Sequence, residues 1–203
     1  MFATRYARFA APVALVALAA PAPAQNADLA RVQQSIAATQ SLTANFVQTD
    51  GRGRQLRGAL SMKRPGKIRF DYGQNADMLL VADGRQIHFL DYSVGQHSRY
   101  SIANSPLSAL LDANPNLARI ATIQNSGSPN LVVIRARDAR RPEFGTLVMA
   151  FSRNPAAPAG LKLEGWTAID AQNKRTKVVL SNQRYNVAVP DSAFTFAEPK
   201  KRG

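Results

Sequence analysis

The stretch MKRPGKIRFDY, Met62 to Tyr72, decides how the chain reads. Successive side chains in a strand point to opposite faces, so Leu60, Met62 and Arg64 share one face. Pro65-Gly66 then turns the chain, and Ile68, Phe70 and Tyr72 share one face of a second strand. The alternation is that of a β-hairpin with one apolar side. A guanidinium therefore stands at the end of an apolar stripe. It needs acceptors there, because a buried charge left unpaired is very costly.

The same pattern extends in both directions. Upstream, Phe46 lies in a β-like run from Thr43 to Thr49 that ends at Asp50-Gly51-Arg52-Gly53. The hairpin itself spans Gln55–Arg64 and Lys67–Tyr72. Downstream come Asp77–Ala82, the strong hairpin signal Asp83-Gly84, Gln86–Asp91 and Gly95–Ser101. Later runs are Ile120–Gln124, Leu131–Arg137, Thr146–Ser152, Leu161–Asp170 and Lys174–Arg184, and Phe194-Thr195-Phe196 is read as a last short strand. About eleven strands with turn signals between most of them specify a large antiparallel sheet, barrel or sandwich.

Helical signals are few. Asp28 to Gln40 reads as a helix capped by Asp28, with Leu29, Val32 and Ile36 on one thin apolar face. In NSPLSALLDANPNLARI, Ser105 and Asn114 are candidate N-caps, each followed by proline at the first helical position. Leu107, Leu110 and Leu111 line one face of the first short helix, and Leu117 and Ile120 one face of the second. Ahead of all this, Arg5 and Arg8, the apolar run Phe9 to Ala20 and the small residues Ala22-Pro23-Ala24 form an export signal cleaved near Ala24. The expected organisation is a leader over 1–24 and a single domain over 25–203. The apolar run is too short to be read as a membrane-spanning helix.

Composition narrows the function classes. The 203 residues include no cysteine, so disulfides, thiolate chemistry, cysteine metal sites and a lipid-modified N-terminal cysteine are all excluded. The formal net charge of +13 favours anionic partners, although many basic residues fall on solvent-facing strand positions such as Lys67 and Arg69. In an exported chain, lipid head groups and acidic proteins are the relevant polyanions, not nucleic acid. Motifs for a serine nucleophile elbow, a zinc protease helix or a phosphate-binding loop are absent. His88 reads as a half-buried structural residue on the face opposite Ile87 and Phe89, and His97 as a solvated one after a turn. Asp71, Asp77, Asp83 and Asp91 recur near strand ends, where aspartate is ordinary. No enzyme activity, cofactor or metal is expected.

What remains is more apolar strand face than the scant helices can cover. The stripes Leu60/Met62, Ile68/Phe70/Tyr72, Ile87/Phe89 and Leu147/Met149/Phe151 must be covered by another layer or by a ligand. An underfilled interior takes apolar ligands, and methionines let one surface accept several. Arg64 then has two readings on pattern alone. It bonds the carbonyls at a covering helix's C-terminus and latches that helix to the sheet, or it snorkels to solvent at the strand end.

Five strings occur in order along nearly the whole chain beyond the leader: KRPGKIRFDY, LLVADGRQIHFLD, Val94–Gln96, SPLSALL at Ser105–Leu111 and FTFAEP at Phe194–Pro199. Together they resemble the LolA family of periplasmic lipoprotein carriers. The resemblance implies a mainly β fold: an incomplete antiparallel barrel closed by a helical lid over a hydrophobic cavity. It further implies a monomeric periplasmic carrier that accepts acylated lipoproteins from an inner-membrane ABC transporter and passes them to the outer-membrane receptor LolB. LolB shares the fold but is itself a lipoprotein, so the missing cysteine favours the carrier. The family's lid-holding arginine precedes the proline of its K-R-P motif, which is Arg64 here. The expected acyl-binding wall comprises Ile36, Phe46, Leu60, Met62, Ile68, Phe70, Leu80, Phe89, Leu107, Leu110, Leu111, Leu147, Met149 and Phe151. The alternative is a LolA-like lipid-binding sensor or scaffold of the envelope. A lipid hydrolase is set aside for want of a nucleophile and base.

Overall fold

In the computed structural model, which describes residues 22–73, 76–112 and 115–200, a helix precedes the first six strands. These are α1 (Ala22–Ala38), β1 (Ser41–Thr49), β2 (Gln55–Lys63), β3 (Lys67–Asp71), β4 (Met78–Asp83), β5 (Gln86–Asp91) and β6 (Gln96–Ser101). Two short helices follow, α2 (Ser108–Leu111) and α3 (Leu117–Ile120). Five strands complete the set: β7 (Ala121–Gln124), β8 (Leu131–Ala136), β9 (Thr146–Arg153), β10 (Leu161–Ile169) and β11 (Arg175–Tyr185).

All eleven strands form one sheet in the order β6-β5-β4-β3-β2-β1-β11-β10-β9-β8-β7. From β1 the chain steps hairpin by hairpin to β6, crosses to the far edge at β7, and steps back until β11 pairs with β1. The sheet is not closed, because β6 and β7 are its two edges. The segment that joins these edges is the one carrying α2 and α3. The lid expected from the sequence therefore lies in the connection between the two free edges.

Register brings the apolar stripes together. Leu60 lies opposite Phe70, and Phe70 opposite Leu80; Met62 lies opposite Ile68. Because paired residues share a face, these side chains form one inner surface. Phe46 lies opposite Gly58, where a Cβ would collide with the Asp71 carbonyl oxygen and the Phe46 ring. Only glycine lets the two strands approach there.

The inner face is covered by α1, through Val32 and Ile36, and by Ala109, Leu110, Leu111 and Leu117 of the lid, all in one buried cluster. A second cluster lies on the outer face, where Leu79, Val81 and Leu90 are covered by Val189 and Phe194. The run Met78-Leu79-Leu80-Val81 is continuous because β4 is apolar on both sides.

Three sequence expectations change. The helix begins at Ala22, so Asp28 is not its cap; it accepts two hydrogen bonds from Arg153 Nη2, at 2.8 and 2.9 Å. Phe194-Thr195-Phe196 is not a strand, since Phe194 ends a 3₁₀ turn over Asp191–Phe194. Ser105 lies a turn ahead of α2 and makes no side-chain cap, and α2 has Leu107 at its N-cap position. Asn114 and residues 1–21 of the leader lie outside the described residues.

Candidate functional site: a latched lid over an apolar interior

Eleven of the expected wall residues meet in the inner cluster: Ile36, Phe46, Leu60, Met62, Ile68, Phe70, Leu110, Leu111, Leu147, Met149 and Phe151. Leu80 and Leu107 pack against it while partly exposed, and Phe89, toward the β6 edge, is only half-buried. The interior is filled, not open. A void of about 10 Å³ remains beside Arg64 and Ile36, room for about one water and no acyl chain. Larger clefts flank the lid from outside. One of about 420 Å³ runs along Pro65, Gly66, Ile102 and Leu111. Another of about 250 Å³ lies between Pro106, Ala109, Arg119 and Phe144. The hydrophobic space predicted from the sequence is thus occupied by the protein's own side chains in this closed form.

The β2–β3 turn holds the lid. A helix leaves its last carbonyls without intrahelical partners, and a four-residue helix such as α2 is nearly all terminus. Gly66 N–H donates to the Leu111 carbonyl at 3.0 Å, and Arg64 Nη1 donates to the Asp112 carbonyl at 2.7 Å. Two successive carbonyls at the end of α2 are thereby taken up by one turn. Gly66 has φ +73°, and a Cβ there would sit 2.7 Å from Gly84 Cα of the neighbouring turn, so no larger residue suits this grip. Arg64 is only 8% exposed. Burial lowers its pKa to about 10, opposed by the Asp112 charge, and the group stays cationic at neutral pH. Its Nε finds no partner among the described residues. Of the two contacts read for Arg64 from the sequence, it makes the one to a carbonyl at the end of the covering helix.

At the other end of the interior four rings meet. Phe46 stands edge-on to Phe70 and Tyr72 at 5.1 and 5.2 Å, and Phe70 edge-on to Trp166 at 6.0 Å. Tyr72 donates from its hydroxyl to Gln48 Oε1 at 2.9 Å. Burial raises the Tyr72 pKa to about 12. The folded state then holds this proton more tightly than the unfolded chain does between pH 10 and 12. Stability is accordingly expected to fall as pH rises through that window, by roughly 3 kcal/mol in all. A Tyr72→Phe protein should lose that part of the dependence, read as the urea midpoint at pH 9 and at pH 11.5. An unchanged alkaline slope in the variant would place the titrating group elsewhere.

A family model described as "Outer membrane lipoprotein carrier protein LolA" matches residues 37–197. The chain belongs to this family. Among curated relatives, an outer-membrane lipoprotein carrier protein of Chromobacterium violaceum is 29% identical over 196 residues, covering 92% of this chain and 91% of the relative. One from Pseudomonas fluorescens is 27% identical over 189 residues, covering 88% of each. Among solved structures, a DUF1329 family protein from Desulfovibrio piger superposes with a TM-score of 0.50 at 10% identity, over 85% of this chain and 97% of that one; it bears on the fold alone.

The remaining candidates of this LolA-family chain fall into place as turn and outer-face residues. Asp71, Asp83 and Asp91 accept hydrogen bonds from the backbone N–H groups of Gly73, of Arg85 and Gln86, and of Ser93. His88 is buried on the outer face. His97 is not solvated as expected, because the chain end covers it. Sequence reasoning left Tyr72 and Trp166 off the wall and missed Gly66 as a lid contact. Tyr72 was recoverable from its stripe with Ile68 and Phe70. Trp166 was not, because a bulge between Leu163 and Gly165 breaks the alternation of β10.

Proposed function

We propose that this protein is a periplasmic carrier that shields the acyl chains of lipoproteins. On this reading residues 1–24 are the export leader, and 25–203 work as a monomeric, non-enzymatic carrier domain. It takes lipoproteins released by an inner-membrane ABC transporter and delivers them to LolB or an equivalent outer-membrane receptor. The observation that carries the reading is the lid: three buried leucines, Leu110, Leu111 and Leu117, roof an apolar interior and are tied to it by Arg64. Names given to the relatives support the cargo class.

The energetics favour a lid that yields only to lipid. Exposing three leucines costs roughly 5–9 kcal/mol, which keeps the empty protein shut. Each acyl methylene withdrawn from water returns about 0.8 kcal/mol, so a long chain entering the interior offsets lid opening. A protein without lipid gains nothing by opening. The purified protein, mixed with energised spheroplasts making a labelled outer-membrane lipoprotein, is expected to yield a soluble one-to-one complex. Absence of a complex, with an active transporter and a folded protein as controls, would turn the reading toward the lipid-sensing alternative.

A further inference from the structure

The outer face carries a feature that lipid binding does not use. Residues 194–200 lie along β3 to β6, with Phe194 buried against Leu79, Val81 and Leu90. Arg69 Nη1 donates to the Thr195 carbonyl at 3.0 Å, and the Tyr92 hydroxyl to the Ala197 carbonyl at 2.9 Å. The Phe196 ring centre stands 4.7 Å from that of His88 and 5.5 Å from that of His97. Under it runs a row of four side chains. Asp83 Oδ2 is 3.0 Å from His88 Nε2, His88 Nδ1 is 3.0 Å from His97 Nε2, and His97 Nδ1 is 2.8 Å from Glu198 Oε2. The two imidazoles are 9% and 12% exposed.

Counting protons gives this row a definite charge state. Each of its three gaps needs one hydrogen. Two neutral imidazoles supply two, which leaves one gap with bare acceptors facing each other. Two imidazolium rings supply four N–H groups, which sets two donors nose to nose in the middle gap. Three hydrogens fill every gap, so the pair fits when it carries a single positive charge between two carboxylates. We propose that His88 and His97 are a proton-counting clasp that holds the C-terminal segment on the outer face while they share one extra proton. Gaining or losing a proton weakens the hold on the segment and favours its release from Leu79, Val81 and Leu90.

The surroundings are consistent with that balance. Burial works against the Asp83 carboxylate, but hydrogen bonds from Gln86 and Arg85 N–H and from His88 hold its pKa down to about 2. It therefore stays anionic over the range in which a solvated imidazole titrates. The other charged groups on the elements packed here are Lys67, Arg69 and Asp71 of β3, Asp91 at the end of β5, Arg99 opposite His88 on β6, and Glu198 and Lys200 of the segment itself. Arg69 is paired with Asp71 at 3.1 Å. At high pH the closed form keeps a proton the open form has lost, so closure weakens as pH rises. At low pH the open form takes a second proton the closed form cannot, so closure weakens as pH falls. The clasp is tightest between the two.

Chymotryptic cleavage after Phe194 and Phe196 of the purified mature protein, followed from pH 6 to 9 and corrected for the rate on an unstructured peptide of the same sequence, tests this. Protection is expected to peak near neutrality and drop about tenfold on either side, the effect of losing one charge-assisted hydrogen bond. In Glu198→Gln an amide N–H donates to His97 Nδ1, so two neutral imidazoles fill all three gaps. That variant should keep the acid loss and abolish the alkaline one. Amide hydrogen exchange at Leu111 in the lid serves as the control for folding. Protection that is flat with pH in the parent, or an alkaline loss that persists in Glu198→Gln, would overturn the clasp.

Discussion

An R64L protein is expected to accept lipoprotein as readily as the parent and to hand it on roughly ten- to a hundredfold more slowly. The Arg64 bond to the Asp112 carbonyl at 2.7 Å belongs to the closed lid. A hydrogen bond from a charged donor stabilises by about 1.5–3 kcal/mol. On the proposed function the lid is displaced when the interior is occupied, and that bond is then lost. Closing and holding cargo therefore compete, and the latch lowers apparent affinity by the factor it contributes to closure. Without the latch cargo is held more tightly, and most of the change appears in the rate of release. The substitution takes this donor from the Asp112 carbonyl and also removes the desolvation of a buried guanidinium, so the melting temperature should fall by no more than the latch contributes to closure. Acceptance that stays parental while transfer slows separates a gate from a structural prop. Transfer half-times from a labelled complex to receptor-bearing vesicles, measured beside calorimetry, check it. Parental transfer by R64L would remove Arg64 from the handover.

Strands were legible because the alternation is regular: every run named from Thr43 to Arg184 corresponds to a strand of the sheet, with ends moved by a residue or two. The inner wall was legible for the same reason, since Leu60, Phe70 and Leu147 each repeat an apolar side chain two positions on. Arg64 stood out as a charge on an apolar face, and its partner lies 48 residues away in sequence at Asp112. No local pattern names that partner. The family resemblance implied the lid, and the fold brings the carbonyl to it.

Long-range contacts account for most of what was missed. His97 reads as solvated until the chain end folds back 101 residues to bring Glu198 against it. Phe194 and Phe196 look like a strand because aromatics alternate there, yet each is recruited to cover the outer face instead. Scant helical material suggests an open interior, but in the closed form Val32, Ile36 and the lid leucines reach deeply enough to fill the space.

The second large effect is expected from Phe46→Ala, and it separates room for lipid from the gate that admits it. Phe46 sits at the centre of the ring cluster, edge-on to Phe70 and Tyr72 and over Gly58. Truncating such a residue costs about 3–5 kcal/mol, which for a chain of this size lowers the melting temperature by roughly 6–20 °C. What is left is a dry apolar void on the order of 100 Å³, large enough for a benzene-sized molecule. The void lies at the far end of the interior from Arg64, so the closed lid keeps its hydrogen bonds. Benzene should therefore raise the melting temperature of the Phe46→Ala protein, as a ligand that binds only the folded state must, and leave the parent unmoved. Amide exchange at Leu111 should stay slow in both. A melting temperature lowered by less than about 3 °C would mean the ring cluster relaxes to fill the gap. A benzene response in the parent would mean the interior opens without lipid, and the closing free energy assigned to the leucines and Arg64 would have to be revised downward.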